Sequence, residues 1–189
     1  MARKEKPFSQ MYLADALRDG VDGWVKEGWP GVTQTTYELL HYWFDRDEDA
    51  PEKFYDCQRR AIETIIYCHE VLQVKSLGEL FEKVAPEFLH SSKPVYDEVK
   101  DIPFPKYCIK MATGTGKTWV LAALLVWQYF NALNKEIPQR AQGESKDWYS
   151  YRFMVVAPGL EVLNRLLDSF KGKRDPKTGL RDPSTSDYA

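Results

Sequence analysis

Eight consecutive residues carry the clearest chemical signal: Met111-Ala112-Thr113-Gly114-Thr115-Gly116-Lys117-Thr118. Binding a polyphosphate requires several backbone N–H groups aimed inward from a tight loop, a helix N-terminus behind them, and a cation that reaches the terminal phosphates. Gly114 and Gly116 allow the backbone to close round the phosphates without a Cβ clash, with Thr113 and Thr115 completing the cradle. Lys117 is expected to contact the β- and γ-phosphates and the Thr118 hydroxyl to hold Mg²⁺, which makes these two the candidate catalytic residues. The strict pattern G-x-x-x-x-G-K-[ST] begins with Gly, and this chain has Met111 there. Because Gly is about 7% of an average chain, an accidental Gly-x-Gly-Lys-Thr has odds on the order of one in a hundred.

A second constellation lies upstream in Phe54-Tyr55-Asp56-Cys57-Gln58-Arg59-Arg60-Ala61-Ile62. A Gln carboxamide donates and accepts at once, so Gln58 matches the N6/N7 edge of adenine, and Phe54 is an aromatic that can stack on the base. The plainer alternative is a solvated Gln at a helix N-terminus. His41, His69 and His90 do not share metal-site spacing with Cys57, Cys68 and Cys108, and the adjacent pair Cys68-His69 points to two faces of a helix. Three cysteines without a CxxC pair read as reduced thiols of a cytoplasmic protein. Trp24, Trp29, Tyr37, Tyr42, Trp43 and Phe44 could stack bases, but rings that supply so much buried area fit a local core better.

The elements that must position these groups follow from spacing and punctuation. Ser9 can cap a helix that Gly20 would end, and Thr35 with Glu38 has capping-box spacing before Leu39, Leu40, Trp43 and Phe44. The acidic run Asp45 to Pro51 marks a boundary. Cys57, Ala61, Ile65, Cys68 and Leu72 recur on one face of an expected helix of about five turns. Ser76 to Ala85 predicts a short helix, residues 90–106 an irregular connection, and Lys117 to Leu133 a continuously apolar helix. Tyr107-Cys108-Ile109-Lys110-Met111 and Arg152-Phe153-Met154-Val155-Val156-Ala157 predict strands, the second fully buried because its apolar run is unbroken. Residues 134–151 read as a loop, and Leu160, Leu163, Leu166, Leu167 and Phe170 predict a last helix before a polar, turn-rich tail over 172–189. Strand, helix, strand, helix implies right-handed crossovers and a parallel sheet. The expected fold is therefore α/β: a partial RecA-like P-loop domain over 51–171, with parallel strands and flanking helices, preceded by a small helical segment over 1–50.

With these elements in place the chain resembles a known family. Gln58 with Ala61-Ile62 is similar to the Q-motif region, Met111 to Thr118 to motif I, and Val155-Val156-Ala157-Pro158-Gly159 to motif Ia of superfamily 2 DEAD/DEAH-box-like helicases and translocases. The variant Met-Ala-Thr-Gly-Thr-Gly-Lys-Thr, the run Cys57 to Thr64 and the phrase Val156-Ala157-Pro158-Gly159 most resemble the Res-subunit group of type III restriction enzymes. The resemblance implies an ATP- and Mg²⁺-dependent motor on double-stranded DNA, commonly joined to a nuclease and working with a methyltransferase subunit. It also implies nucleic-acid contacts from Pro158, Gly159, Asn164 and Arg165. A repair, phage-defence or RNA helicase with the same first domain, or a non-catalytic nucleotide-binding module, are the other readings.

Composition limits these expectations. The chain has 189 residues, of which 43% are hydrophobic and 29% charged, values that fit a globular protein and argue against disordered or collagen-like classes. A motor with two ATPase domains needs at least roughly 300 residues, so an N-terminal fragment is expected, too short to hydrolyse ATP usefully. A Walker B acid is not evident, since Asp168 lies within a helix-periodic stretch. Residues 1–100 carry 13 basic and 19 acidic side chains and residues 101–189 carry 13 and 9, which makes the second half the better candidate for polyanions. The start lacks the apolar run of a secretory leader. The longest apolar run, Trp119 to Trp127, is about half a membrane span.

Overall fold

The computed structural model describes residues 12–45, 54–87, 107–134 and 148–187. Within them lie six α-helices: α1 Tyr12–Lys26, α2 Gln34–Phe44, α3 Asp56–Ile66, α4 Leu77–Val84, α5 Lys117–Leu133 and α6 Leu160–Lys171. A π-helix, Tyr67–Val71, continues α3, and Pro183–Thr185 form a 3-10 turn. No described helix is long and apolar enough to cross a membrane.

Helix α1 runs straight through Gly20 rather than ending there. Leu17, Val21 and Trp24 are buried on one face, and burying such side chains, at about 1.5–3 kcal/mol each, outweighs the ~1 kcal/mol that a mid-helix Gly costs. The glycine has a packing reason, because a Cβ at position 20 would sit 3.0 Å from the Tyr67 hydroxyl. The Ser9 cap lies outside the described residues. Helix α2 starts at Thr33, whose side chain accepts from the Thr36 N–H, two residues ahead of the expected Thr35 cap. Helix α4 forms within the expected stretch, capped by Ser76, whose side chain accepts from the Glu79 N–H.

Helix α3 corrects the expected face. The buried positions are Gln58, Ile62, Ile66 and Glu70, with Glu63 and Cys68, while Cys57 is exposed and Ala61 and Ile65 are only half-buried. Steps of four residues overshoot a 3.6-residue turn. The π-helix takes up the surplus, its wider i→i+5 bond running from the Leu72 N–H to the Tyr67 carbonyl at 2.9 Å.

Helix α5 packs against both α2 and α3, and α1 packs on α3 and α4. The main core joins Val21, Trp24, Trp29, Leu40 and Trp43 to Ile62 and Ile66 and to Val120, Ala123, Trp127 and Tyr149. A smaller cluster gathers Leu17, Cys68, Val74 and Leu80.

The expected α/β fold is not seen. Among the described residues there is no strand and no sheet, and the single ladder-type contact is an isolated antiparallel bridge between Arg174 and Arg181. Tyr107 to Met111 and Arg152 to Ala157 have no regular secondary structure. An apolar run becomes a strand only when another segment supplies a hydrogen-bonding partner, and neither run has one among the described residues. In place of the buried strand expected over 152–157, Met154 is 87% and Val156 77% exposed. The segment instead flanks α5, where the Ser150 N–H donates to Gln128 Oε1 at 2.9 Å. Helix α6 forms where its periodicity predicts it and buries none of its residues. Residues 172–187 turn back on it: Arg181 Nη1 meets Asp168 Oδ1 at 2.6 Å, and the Asp187 N–H donates to the Ser169 carbonyl.

Candidate functional site

The loop from Met111 to Thr118 leads directly into α5, and its two glycines adopt the backbone conformation that makes the turn possible. Gly114 has φ +81° and Gly116 φ +69°, the left-handed region that side chains with a Cβ rarely enter. At Gly114 an added Cβ would meet nothing within 4 Å, whereas at Gly116 it would sit 2.3 Å from Gln58 Nε2. Gly116 is thus required twice, for its dihedral and for the approach of Gln58.

Loop polar groups turn inward on one another. Thr115 Oγ1 donates to the Ala112 carbonyl at 2.8 Å, and Lys117 Nζ donates to the carbonyls of Ala112 (2.6 Å) and Met111 (3.0 Å). The ammonium is therefore held over the loop. No side chain caps α5 and no acid lies in its first turn, so its positive dipole end faces the loop without a competing carboxylate. Loop, cation and helix end fit a polyphosphate with its magnesium ion. Thr113 and Gly114 are exposed, and Thr118 is half-buried on the first turn of α5.

Gln58 links α3 to this loop. Only 3% exposed, it donates from Nε2 to the carbonyls of Thr115 (2.9 Å) and Gly116 (3.3 Å) and accepts at Oε1 from the Tyr55 N–H (2.8 Å). Both amide hydrogens are engaged, and among the described residues Oε1 accepts one hydrogen bond, which leaves its second lone pair open. Phe54 is half-buried beside it, its ring 6.1 Å from Trp119, 5.6 Å from Phe44 and 6.0 Å from Trp43. Arg59 covers Phe44 at 5.1 Å and pairs with Glu63 at 2.9 Å, and Glu63 also accepts from Trp29 Nε1.

Behind the loop, a polar network fixes α5 against α2 and the π-helix. Glu70 accepts from Thr36 Oγ1 (2.5 Å), Trp127 Nε1 (2.7 Å) and the Thr33 N–H (2.8 Å). Asn131 Nδ2 donates to Thr36 Oγ1 and to the Trp127 carbonyl, both at 2.9 Å, and Thr33 Oγ1 donates to Asn131 Oδ1 at 2.6 Å. Burial raises the Glu70 carboxyl above the usual range, against the pull of these donors. The neighbouring His69 ring stacks on Trp148 at 4.5 Å and is lowered to about 4 by burial, and its Nε2 has no hydrogen-bond partner among the described residues. Burial also pushes the Cys68 thiol up to about 12, the inert behaviour of a core cysteine.

The other expected site residues lie at the start of α6 and along it. Pro158, Gly159, Asn164 and Arg165 are exposed, and Arg165 pairs with Glu161 at 3.1 Å. Among the described residues no hydrogen bond or ring contact joins these four to the loop. The structure adds residues that spacing does not reveal: Glu70, Thr36 and Asn131 in the network, and Trp119 beside Phe54. A polar Asn131 one turn from Trp127 in a largely apolar helix is the signal for the first group. Adjacency to Thr118 is the signal for Trp119.

The family model for the type III restriction enzyme, res subunit, matches residues 52–181. No curated protein and no solved structure matches the chain. The match spans more than half of the chain and takes in α3, the Met111–Thr118 loop, α5 and α6, so the chain belongs to the type III restriction enzyme Res-subunit family, whose domain is of helicase superfamily 2.

Proposed function

We propose that this member of the Res-subunit family binds ATP with Mg²⁺ at Met111–Thr118. It serves as the ATP-binding portion of a motor on double-stranded DNA, of the kind that drives a restriction endonuclease working with a methyltransferase subunit. The observation that carries the reading is the loop itself: two left-handed glycines, an uncapped helix end and the Lys117 ammonium held over the loop carbonyls. Backbone N–H groups from Thr113 to Thr118 cradle the phosphates, Lys117 neutralises the β- and γ-oxygens, and Thr118 supplies its hydroxyl to the metal ion. A magnesium ion held there would supply charge neutralisation for the phosphates. The open lone pair of Gln58 Oε1 accepts from the exocyclic amine of adenine, and Phe54 lines the base.

DNA contact falls to the start of α6. Pro158 and Gly159 present backbone groups, and Asn164 and Arg165 present side chains to phosphates. The Arg165–Glu161 pair is fully solvated, with side chains 79% and 83% exposed. Such pairs contribute about 0–1 kcal/mol, too little to hold Arg165 back from a phosphate.

Titrating a fluorescent ATP analogue against wild type and Lys117→Ala tests the reading. Charge-assisted hydrogen bonds of about 1.5–3 kcal/mol predict a loss of tenfold or more in the variant. Equal affinity in the two proteins would remove the loop from nucleotide binding.

A further inference from the structure

We propose that Trp119 is the stacking wall of the nucleotide site, the residue that makes it prefer ATP to bare polyphosphate. The proposal rests on the reading of Met111–Thr118 as the ATP loop. Trp119 follows Thr118 directly on the first turn of α5, and its Cδ1 lies 3.5 Å from a Cβ built on Gly116, so the indole adjoins the loop. The ring remains 37% exposed although the neighbouring Val120 is buried at 2%. Helix α5 meets the core through Val120, Ala123 and Trp127, and Trp119 is not among the buried residues of that core. An indole more than a third exposed at this place is within reach of a planar base leaving the phosphate cradle.

The surroundings fix where a base would lie. Phe54 meets the indole nearly at right angles, 89° between planes, with centroids 6.1 Å apart. That T-shaped contact leaves no slot for a ring between them. Phe54 therefore acts as an end wall, braced by Phe44 and Trp43, and the base stacks on the exposed part of the indole. Gln58 offers adenine one acceptor and no donor, because both Nε2 hydrogens already serve the loop carbonyls. Stacking is left as the main source of affinity for the base. It favours any base over none, and the wider purines over pyrimidines.

Isothermal titration of ATP and of inorganic tripolyphosphate, each with Mg²⁺, into wild type, Trp119→Phe and Trp119→Leu tests this. Wild type should bind ATP more tightly than tripolyphosphate. Trp119→Leu should lose about tenfold in ATP affinity with tripolyphosphate affinity unchanged, and Trp119→Phe should keep most of the preference. Equal loss for both ligands would mark a structural role and overturn the proposal, as would full ATP affinity in Trp119→Leu. Wild type binding neither ligand would remove the nucleotide reading itself, a result distinct from those two. Tryptophan emission gives an independent reading should Trp119→Leu not fold: ATP but not tripolyphosphate should quench wild type, and Trp119→Phe should not respond. Identical quenching in Trp119→Phe would overturn the assignment.

Discussion

Around α5 the protein buries polar side chains, whereas between Arg152 and Lys171 it exposes apolar ones. Gln58, Glu70, Thr36 and Asn131 are each at most 3% exposed, while Met154, Val156 and Leu160 are each more than three-quarters exposed. The buried set survives because each member has partners: an unpaired buried polar group costs about 1–3 kcal/mol, and a paired one fixes a unique arrangement. The exposed set shows the converse, that an apolar run buries only when another element meets it. The first region can therefore hold a loop at fixed geometry, and the second presents a surface.

The largest effect separating the two regions should come from Glu70→Ala. It removes the acceptor of the Thr36 hydroxyl and of the Thr33 amide and leaves the Trp127 indole N–H only its second contact, to Thr36 Oγ1 at 3.0 Å, and with the cavity should lower stability by about 3–5 kcal/mol. Urea unfolding monitored by circular dichroism measures this, and an unmoved midpoint would dissolve the contrast. Glu70→Gln keeps the shape and should cost less.

His69 gives the next largest, as a pH dependence. Burial depresses its titration to about 4 from the ordinary 6.5, so between those values the unfolded chain takes up a proton that the native state does not. The stability contributed by the neutral ring is full above about pH 6.5 and is lost as pH falls toward 4, by about 3 kcal/mol in all. Glu70 acts with the opposite sign, its raised carboxyl making stability fall as pH rises through its own range. Comparing His69→Phe with wild type cancels that shared contribution. The variant should keep the stack on Trp148 and lose the acid-side decline, and parallel pH profiles would contradict the assignment.

Gly116→Ala should come third. A left-handed dihedral costs an ordinary residue about 1–2 kcal/mol, and the new methyl displaces Gln58 Nε2, so both stability and ATP affinity should fall. Leu160→Ala should be smallest, within about 0.5 kcal/mol, because its side chain is 78% exposed. A loss above 2 kcal/mol there would show that α6 is held more tightly than its exposure indicates.

The same contrast explains what was legible in the sequence. The spans of α4 and α5 could be read because helical periodicity and continuous apolar patterns are local. The Gly-rich stretch Met111 to Thr118 is equally local, and the family match includes its residues. The face of α3 was hidden because Gln58 and Glu70 hold core positions through partners 57 or 34 residues away, Thr115 and Thr36. A hydrophobicity pattern scores such residues as solvent-facing. The two expected strands failed for a related reason: β-structure is a property of a pair, and the unbroken run Phe153 to Ala157 states only half of one. Trp119 was masked by the apolar run it begins.

Hydrogen–deuterium exchange with and without ATP–Mg²⁺ tests most directly whether nucleotide binds the braced loop rather than the exposed region. The account predicts slowed exchange at Gly114 to Val120 and at Gln58 and Arg59, with Leu160 to Lys171 unchanged. No protection at the loop, or equal protection along α6, would contradict it.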